Sequence, residues 1–431
     1  MKVGLIGLGC DKNRVDSENM LFRLRAAGYE LTDDIDRAEV IVINTCAFID
    51  AAKKEAIDAI LDAASRKGKT LKKLIVTGCF AERYGKEAAQ SLPEVDVFLN
   101  IADEIKIVET VDALTGTTRP NPCFDAGRVL TTPAHYAYLK IADGCDNKCT
   151  YCAIPSIRGK YLSRPIEDLY REALSLRENG VKELVLVAQD VTAYGIDLYG
   201  KYALVDLLEE LVKIDFWKIR LLYAYPERID QRLIDFINEN DRVAKYLDIP
   251  LQHVDPTVLR RMNRRLRSGV KEYIDELRAK IPGVALRSSF ICGFPYETEE
   301  AHNELVAFLS SGVDYGGFFA FSPEEGTPAY DWKERADKRT VKRWVKECEI
   351  SQSKRTVEIQ KKYLGRTLEV IYEGIDYDKQ LFYGRTEFSA PEVDTLVYFT
   401  SDFPLEVGRV YDVSIDRTDF CLYGRAVREE A

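Results

Sequence analysis

Three cysteines in the run GCDNKCTYC, Cys145, Cys149 and Cys152, have the type and spacing to hold iron. Thiolates separated by three and then two residues can ligate three irons of a cubane and leave the fourth iron without a protein ligand. A C-x2-C-x2-C run completed by a fourth cysteine saturates an electron-transfer cluster, and a zinc site pairs its short hook with two further ligands downstream. Here neither Cys nor His follows until His253. The spacing therefore points to a cluster with an open iron. Three thiols of a packed core, or a broken zinc knuckle, are the plainer alternatives.

Three more cysteines recur at the ends of predicted strands: Cys10 in GLGC, Cys46 in NTC and Cys79 in TGC. The strands are residues 3–8, 40–44 and 74–77, aliphatic enough for burial on both faces of a parallel sheet. Helical periodicity follows each, over 16–27, 51–65 and 82–91, and VDVFLN supplies a fourth strand. The pattern predicts a doubly wound α/β domain. The carboxyl ends of strands in such a sheet form its ligand crevice, so thiols 36 and 33 residues apart can converge. A single cysteine at a strand end is as readily a small buried hydrophobe. Three equivalent positions favour ligands of a second cluster, again with one iron open. GLIGLG departs from G-x-G-x-x-G, so no dinucleotide site is read from it.

Residues 117–133, rich in Pro and turn formers, read as a linker with Cys123 incidental within it. Six further strand and helix units follow, with strands at 136–141, 183–188, 219–223, 246–249, 286–291 and 315–320. They predict an incomplete barrel whose active site lies at the carboxyl ends of its strands. The first cysteine loop follows the first strand, and Gln189, Asp190, Tyr225, Gln252, His253, Cys292, Gly293 and Phe294 fall on the same rim. His253 suits a hydrogen bond in the barrel mouth better than a metal, and Arg158 and Arg164 suit a carboxylate of a ligand or of an acidic neighbour. Cys292, Cys348 and Cys421 have no partner in any ligand spacing. Residues 333–366 carry twelve Lys or Arg against five acids and read as a charged connecting helix. Short strands with repeated YGR turns over 364–427 predict a small antiparallel barrel.

A chain of 431 residues suggests two or three domains. Its ten cysteines, without an apolar run of membrane-spanning length or an export signal in MKVGLIGLGC, imply a reduced, cytoplasmic protein. With 61 Lys and Arg against 71 Asp and Glu, the net charge of -10 does not suggest a general polyanion binder.

The run CDNKCTYC followed by IPSIRGKYLSRP, with Cys10, Cys46 and Cys79 in their GLGC, NTC and TGC contexts, resembles the methylthiotransferase family of radical S-adenosylmethionine enzymes over essentially the whole length. AYLKIADGCDNKCTYCAIPSIRG and LVAQDVTAYG are closer to its ribosomal-protein-modifying branch than to its tRNA-modifying branch. The resemblance implies an α/β architecture of an N-terminal methylthiotransferase domain (1–131), a radical SAM partial (β/α)6 barrel (132–330), a connecting helix (331–363) and a TRAM-like barrel (364–431). It implies two 4Fe-4S clusters, one on Cys145, Cys149 and Cys152 that cleaves S-adenosylmethionine, and an auxiliary one on Cys10, Cys46 and Cys79. The auxiliary cluster would carry sulfur from exogenous sulfide or polysulfide, and the methylthio group would reach the β-carbon of an aspartate in small-subunit ribosomal protein S-twelve. Tyr151 would pack on adenine or simply cover the cluster, Gln189 would meet the ribose or carboxylate, and Gly293 would let a strand edge meet adenine or form a turn. A low-potential donor such as flavodoxin or ferredoxin, a monomeric state and no membrane association complete the expectation. Competing readings are methylthiolation of a tRNA adenosine and a non-catalytic iron-sulfur electron-transfer or scaffold protein. Residues 365–431 hold seven bases and fourteen acids, which predicts a barrel that attracts a basic protein, or a merely solubilising surface.

Overall fold

The computed structural model describes residues 1–119 and 127–427; Cys123 lies outside them. Strands β1 (Lys2–Gly7), β2 (Glu30–Leu31), β3 (Val40–Thr45), β4 (Lys73–Gly78) and β5 (Val97–Phe98) form a parallel sheet in the order β2-β1-β3-β4-β5. Side chains alternate between its faces. Ile41, Ile43, Leu74 and Val76 meet Ala56 and Ile60 of α2 (Asp50–Ala64) and Phe80 of α3 (Cys79–Ser91) on one face. Val40, Val42 and Ile75 meet Met20 and Leu24 of α1 (Asp11–Ala26) on the other. Two boundaries differ from the sequence expectation, because α1 starts at Asp11 and α3 at Cys79. The first turns of both helices are occupied by site residues, which hides them from hydrophobic periodicity. β2, two residues long, was also not anticipated.

The second sheet comprises β6 (Tyr136–Lys140), β9 (Glu183–Val187), β10 (Lys218–Leu221), β11 (Val243–Asp248), β12 (Ala285–Cys292) and β13 (Tyr315–Ala320), adjacent in chain order. All neighbours are parallel and β6 does not pair with β13, so the barrel is open along one side. A short antiparallel pair, β7 (Ala142–Asp143) with β8 (Leu162–Ser163), clamps the base of the cysteine loop.

The carboxyl-terminal strands β14 (Thr367–Asp376), β15 (Leu381–Arg385), β16 (Val397–Thr400), β17 (Val410–Thr418) and β18 (Leu422–Ala426) close into a barrel in the order β14-β15-β16-β18-β17. The β16–β18 pair is parallel. A closed ring with an odd number of strands cannot alternate direction throughout, which corrects the purely antiparallel expectation. The loop between β15 and β16 enters the concave side of the open sheet, where Ala390 packs among Tyr136, Tyr138, Tyr246 and Tyr315. Glu183, fully buried, binds Arg220 and Arg385 at 2.7 Å each. Burial pushes the Glu183 carboxyl up, but the two arginines win and hold it below the ordinary range.

This joint alters the charge argument. Glu369 accepts from Trp217, Glu387 pairs with Lys218, Glu392 with Arg14, Glu373 with His135 and Arg385, and Asp394 with Arg287. Beyond those five acids and Arg385, the described residues of the barrel keep seven acids (376, 378, 402, 406, 412, 416, 419) against five bases (366, 379, 409, 417, 425). Most of the acidic excess is thus engaged by the chain itself, although Glu369 and Glu392 stay exposed, and net charge alone no longer argues for a basic partner there. Among the described residues no helix is long and apolar enough to cross a membrane.

Candidate functional site

The ends of β1, β3 and β4 lie side by side, and two glycines let them approach. Gly9 has φ +91°, and a Cβ there would stand 2.7 Å from Cβ and 3.2 Å from Sγ of Cys46. Gly78 has φ +86°, and its Cβ would stand 2.2 Å from Oδ1 of Asn44. A side chain at either position would drive the strand ends apart. Asn13, 1 % exposed, ties the same ends together. Its Nδ2 donates to Leu8 O at 3.2 Å and Thr45 O at 2.9 Å, while its Oδ1 lies 4.0 Å from Sγ of Cys79 and accepts from Arg158. Burial pushes the Cys46 thiol up to about 11, with the neighbouring Cys79 and Cys10 adding to the rise. Burial likewise raises Cys79, opposed by the Arg158 guanidinium. Cys10 is the N-cap of α1 and Cys79 the first residue of α3, so two helix amino termini favour negative charge at this spot.

The second trio sits on a loop held from several sides. Thr150 N donates to Met262 O at 3.2 Å, Thr150 Oγ1 to Arg261 O at 2.7 Å, and Asn263 Nδ2 to Lys148 O at 2.8 Å. Burial raises Cys145 to about 11 and Cys152 to about 12, and Cys149 adds to both. The Cys149 Sγ lies 3.7 Å from the Tyr225 hydroxyl. Among the described residues no three His, Cys, Asp or Glu converge as the ligands of a single ion do, while the Cys46 thiol feels the charges of Cys79 and Cys10, and the Cys152 thiol those of Cys149 and Cys145. An all-thiolate set without a fourth donor fits a cluster with one iron left open. Replacing the protons of such buried thiols by iron removes the mismatch between burial and ionisation.

A buried polar chain joins the two trios. Arg158, 2 % exposed, donates from Nη1 to Asp16 at 2.9 Å and Asp143 at 2.8 Å, and Lys140 pairs with both acids. Asp143 also accepts from Gln189 Nε2 at 3.0 Å, and Gln189 Oε1 is buried without a partner among the described residues. On the other flank Glu324 binds Arg83 at 2.6 Å and Lys53 at 2.9 Å. These contacts hold the carboxyl-end rims of the two parallel sheets against each other. Glu104 abuts the polar chain, accepting from Thr77 Oγ1 at 3.0 Å. Burial first, and then the Asp16 charge, push its carboxyl up to about 8 from 4.5. The folded protein therefore keeps a proton that the unfolded chain releases between those values. Stability falls through that window as pH rises, by about 1.4 kcal/mol per pH unit. Glu104→Gln removes this loss, so the melting-temperature gap between variant and wild type should widen in the variant's favour from pH 5 to pH 8. An unchanging gap across that range would refute the assignment.

The other sequence-nominated residues fall around this joint. Tyr151 is 9 % exposed and packs edge-on to Phe294, with ring centroids 6.4 Å apart. Gly293 has φ +78°, and a Cβ there would meet Val341 at 2.4 Å on the helix Lys338–Gln360, while its N–H donates to Glu297. That close approach accounts for the glycine without a ligand. Asp190 caps the turn after β9 by accepting from Thr192 N, Arg164 pairs with Glu172 at 2.6 Å, and His253 Nδ1 accepts from Asp255 N at 3.0 Å. Cys292 and Cys348, far apart in sequence, have their sulfurs 3.9 Å apart in the core. Sequence reasoning missed Asn13, Asp16 and Lys12, which read as the polar face before a helix that starts later. It also missed Tyr223 at the end of β10, whose φ of +62° no sequence pattern announces. The one available signal was the density of polar residues in CDKNRVDSE directly after a strand-end cysteine.

Comparison with known proteins follows the same division of the chain. Residues 2–100 match the model of the uncharacterised protein family UPF0004, residues 139–309 the radical SAM superfamily and residues 364–427 the TRAM domain. Ribosomal protein uS12 methylthiotransferase RimO of Acetivibrio thermocellus is 44% identical, covering 100% of this chain and 99% of its own length. The protein of the same name from Clostridium kluyveri is also 44% identical, over 96% of this chain and 95% of its own. Among solved structures, the radical S-adenosylmethionine methyltransferase TsrM from Kitasatospora setae superposes with a TM-score of 0.54 at 13% identity, covering 76% of this chain and 77% of that one. That likeness concerns the fold. The whole-length identity makes the chain a member of the ribosomal protein uS12 methylthiotransferase (RimO) family of radical S-adenosylmethionine enzymes.

Proposed function

We propose that the protein adds a methylthio group to the β-carbon of an aspartate in ribosomal protein uS12. The observation that carries this reading is the placement of two all-cysteine sets, each one donor short of a filled cluster, on opposed sheet rims joined by Arg158, Asp16 and Asp143. Cys145, Cys149 and Cys152 would hold the cluster that binds S-adenosylmethionine, and Cys10, Cys46 and Cys79 the auxiliary one. When bound, these groups supply one-electron cleavage of S-adenosylmethionine and a transferable methylthio group, and that chemistry belongs to them. The chain's own residues position and enclose. Asn13 fixes the strand ends under the auxiliary set, and the pinned loop of residues 144–153 fixes the other. The unpartnered Oε1 of Gln189 offers an acceptor to a hydroxyl or ammonium of the cofactor, and Tyr151 closes the apolar side behind the cysteine loop. A reactive carbon requires exclusion of water, which a substrate seated between the facing rims would complete.

The division of labour follows the chain: residues 1–131 for the auxiliary set, 132–330 for the radical step, 331–363 as connector and 364–431 for substrate contact. Exogenous sulfide or polysulfide serves as sulfur source, and a flavodoxin or ferredoxin as electron donor to a monomer in the cytoplasm. The test is product analysis with both candidate substrates present. Reconstituted protein, reductant, sulfide and S-adenosylmethionine are incubated with uS12 or small subunits, and separately with unmodified tRNA. Mass spectrometry should show one aspartate hydrogen exchanged for SCH3 in uS12. Modification of tRNA alone would overturn the substrate.

A further inference from the structure

Lys12, two residues beyond Cys10, is 7 % exposed. Its ammonium stands 3.4 Å from the centroid of the Tyr223 ring. Among the described residues it forms no ion pair, because the nearby acids are engaged elsewhere. Asp11 accepts from the Tyr223 hydroxyl at 2.8 Å, Asp248 pairs with Arg287 at 3.1 Å, and Asp16 is held by Lys140 and Arg158. A buried ammonium ordinarily pairs, since taking it out of water without a counter-charge is costly. A ring face compensates for only part of that.

The ring beneath it is itself fixed. Tyr223 holds φ +62° just beyond β10, a conformation that a bulky residue keeps only where the surroundings impose it. Val191 N donates to its carbonyl at 3.2 Å, and its own N–H reaches Asp248 at 3.3 Å. The hydroxyl bond to Asp11 then ties this rim of the open barrel to the residue after Cys10. One ammonium without an ion-pair partner among the described residues is thus presented on a rigid platform where the two rims meet, with the Asp11 carboxylate turned to the Tyr223 hydroxyl. Arg287 does not duplicate it, being tied to Asp248 and Asp394.

We propose that Lys12 binds the side-chain carboxylate of the substrate aspartate. The assignment rests on the functional reading above and adds to it the residue that selects the amino acid. The β-carbon of aspartate is bonded directly to the carboxylate carbon, so a group that anchors the carboxylate also sets where the reacting carbon stands. An ammonium has three donors, and those turned away from the Tyr223 ring are left for the two oxygens. A charge-assisted bond of this kind is about twice as strong as one to a neutral acceptor. Asparagine, of the same shape, would leave the charge uncompensated, and this is the means by which a buried polar site rejects an isostere.

The experiment measures binding of uS12 carrying either aspartate or asparagine at the modified position to the full-length, anaerobically reconstituted protein. Wild type should bind the aspartate form more tightly by about 30-fold, the low end for removing one partner of a buried charge pair. In Lys12→Met that preference should vanish, with both forms bound as wild type binds the asparagine form. Lys12→Arg, which keeps the charge, should restore part of it. Equal binding of both forms by wild type overturns the proposal whatever the variants do. So does a preference that survives in Lys12→Met, including the case where that variant instead loses sulfide bound per iron, which would assign the charge to the sulfur donor. Failure of wild type to modify uS12 at all would strike the functional reading. Modification with an intact preference in Lys12→Met strikes this assignment alone.

Discussion

Cys149→Ala should abolish formation of 5′-deoxyadenosine and lower iron to about half, since each of the two proposed cubanes would carry four irons and thiolates are what would hold them. The loss should be chemical rather than structural. The loop around Cys149 is held through Thr150 to the carbonyls of Met262 and Arg261 and through Asn263 to Lys148. None of these bonds involves the thiol. Removing the sulfur also frees the Tyr225 hydroxyl, 3.7 Å away, while the Tyr225 backbone stays held by its N–H bond to Thr192 Oγ1 at 3.2 Å and by Arg228 N, which donates to its carbonyl at 3.0 Å. Circular dichroism should therefore match wild type while cofactor cleavage, followed by chromatography, falls to background. Undiminished 5′-deoxyadenosine from the reconstituted variant would remove Cys149 from the site.

What could be read in the sequence was what is written locally. Cys145, Cys149 and Cys152 carry their geometry in their spacing, and Val40 to Thr45 is aliphatic because both faces of β3 are covered. That Cys10, Cys46 and Cys79 stand beside neighbouring strand ends was readable because parallel strands place their carboxyl ends together. Contacts set by distant segments were not. Asp16 looks like a solvent-facing helix residue until Lys140 and Arg158, more than a hundred residues on, are seen around it. Cys292 and Cys348 looked solitary for the same reason. The charge of the carboxyl-terminal barrel was countable but its direction was not, and Glu373, Glu387, Glu392 and Asp394 proved to face the chain itself. At Gly293 the sequence could not show that an added Cβ would meet Val341, which gives the glycine a packing reason of its own.

Cys46→Ala should separate the two halves of the reaction. The variant should lose about half its iron yet still cleave S-adenosylmethionine, because no bond that pins the cysteine loop of residues 144–153 passes through Cys46. Transfer of the methylthio group should fall to background. The strand ends themselves should stay in place, since Asn13 bonds Leu8 and Thr45 through backbone carbonyls that the substitution leaves intact. Alanine also keeps the Cβ, so the close approach of Gly9 to that atom is unchanged. Iron content, 5′-deoxyadenosine yield and product mass measured on one preparation decide the matter. Loss of cleavage together with transfer would mean that the two sets are not independent and that the polar chain through Arg158 carries more than position. Retention of transfer would return Cys46 to the hydrophobic core. Cleavage without transfer is the outcome that two separate clusters, held rim to rim by Asp16, Arg158 and Asp143, require.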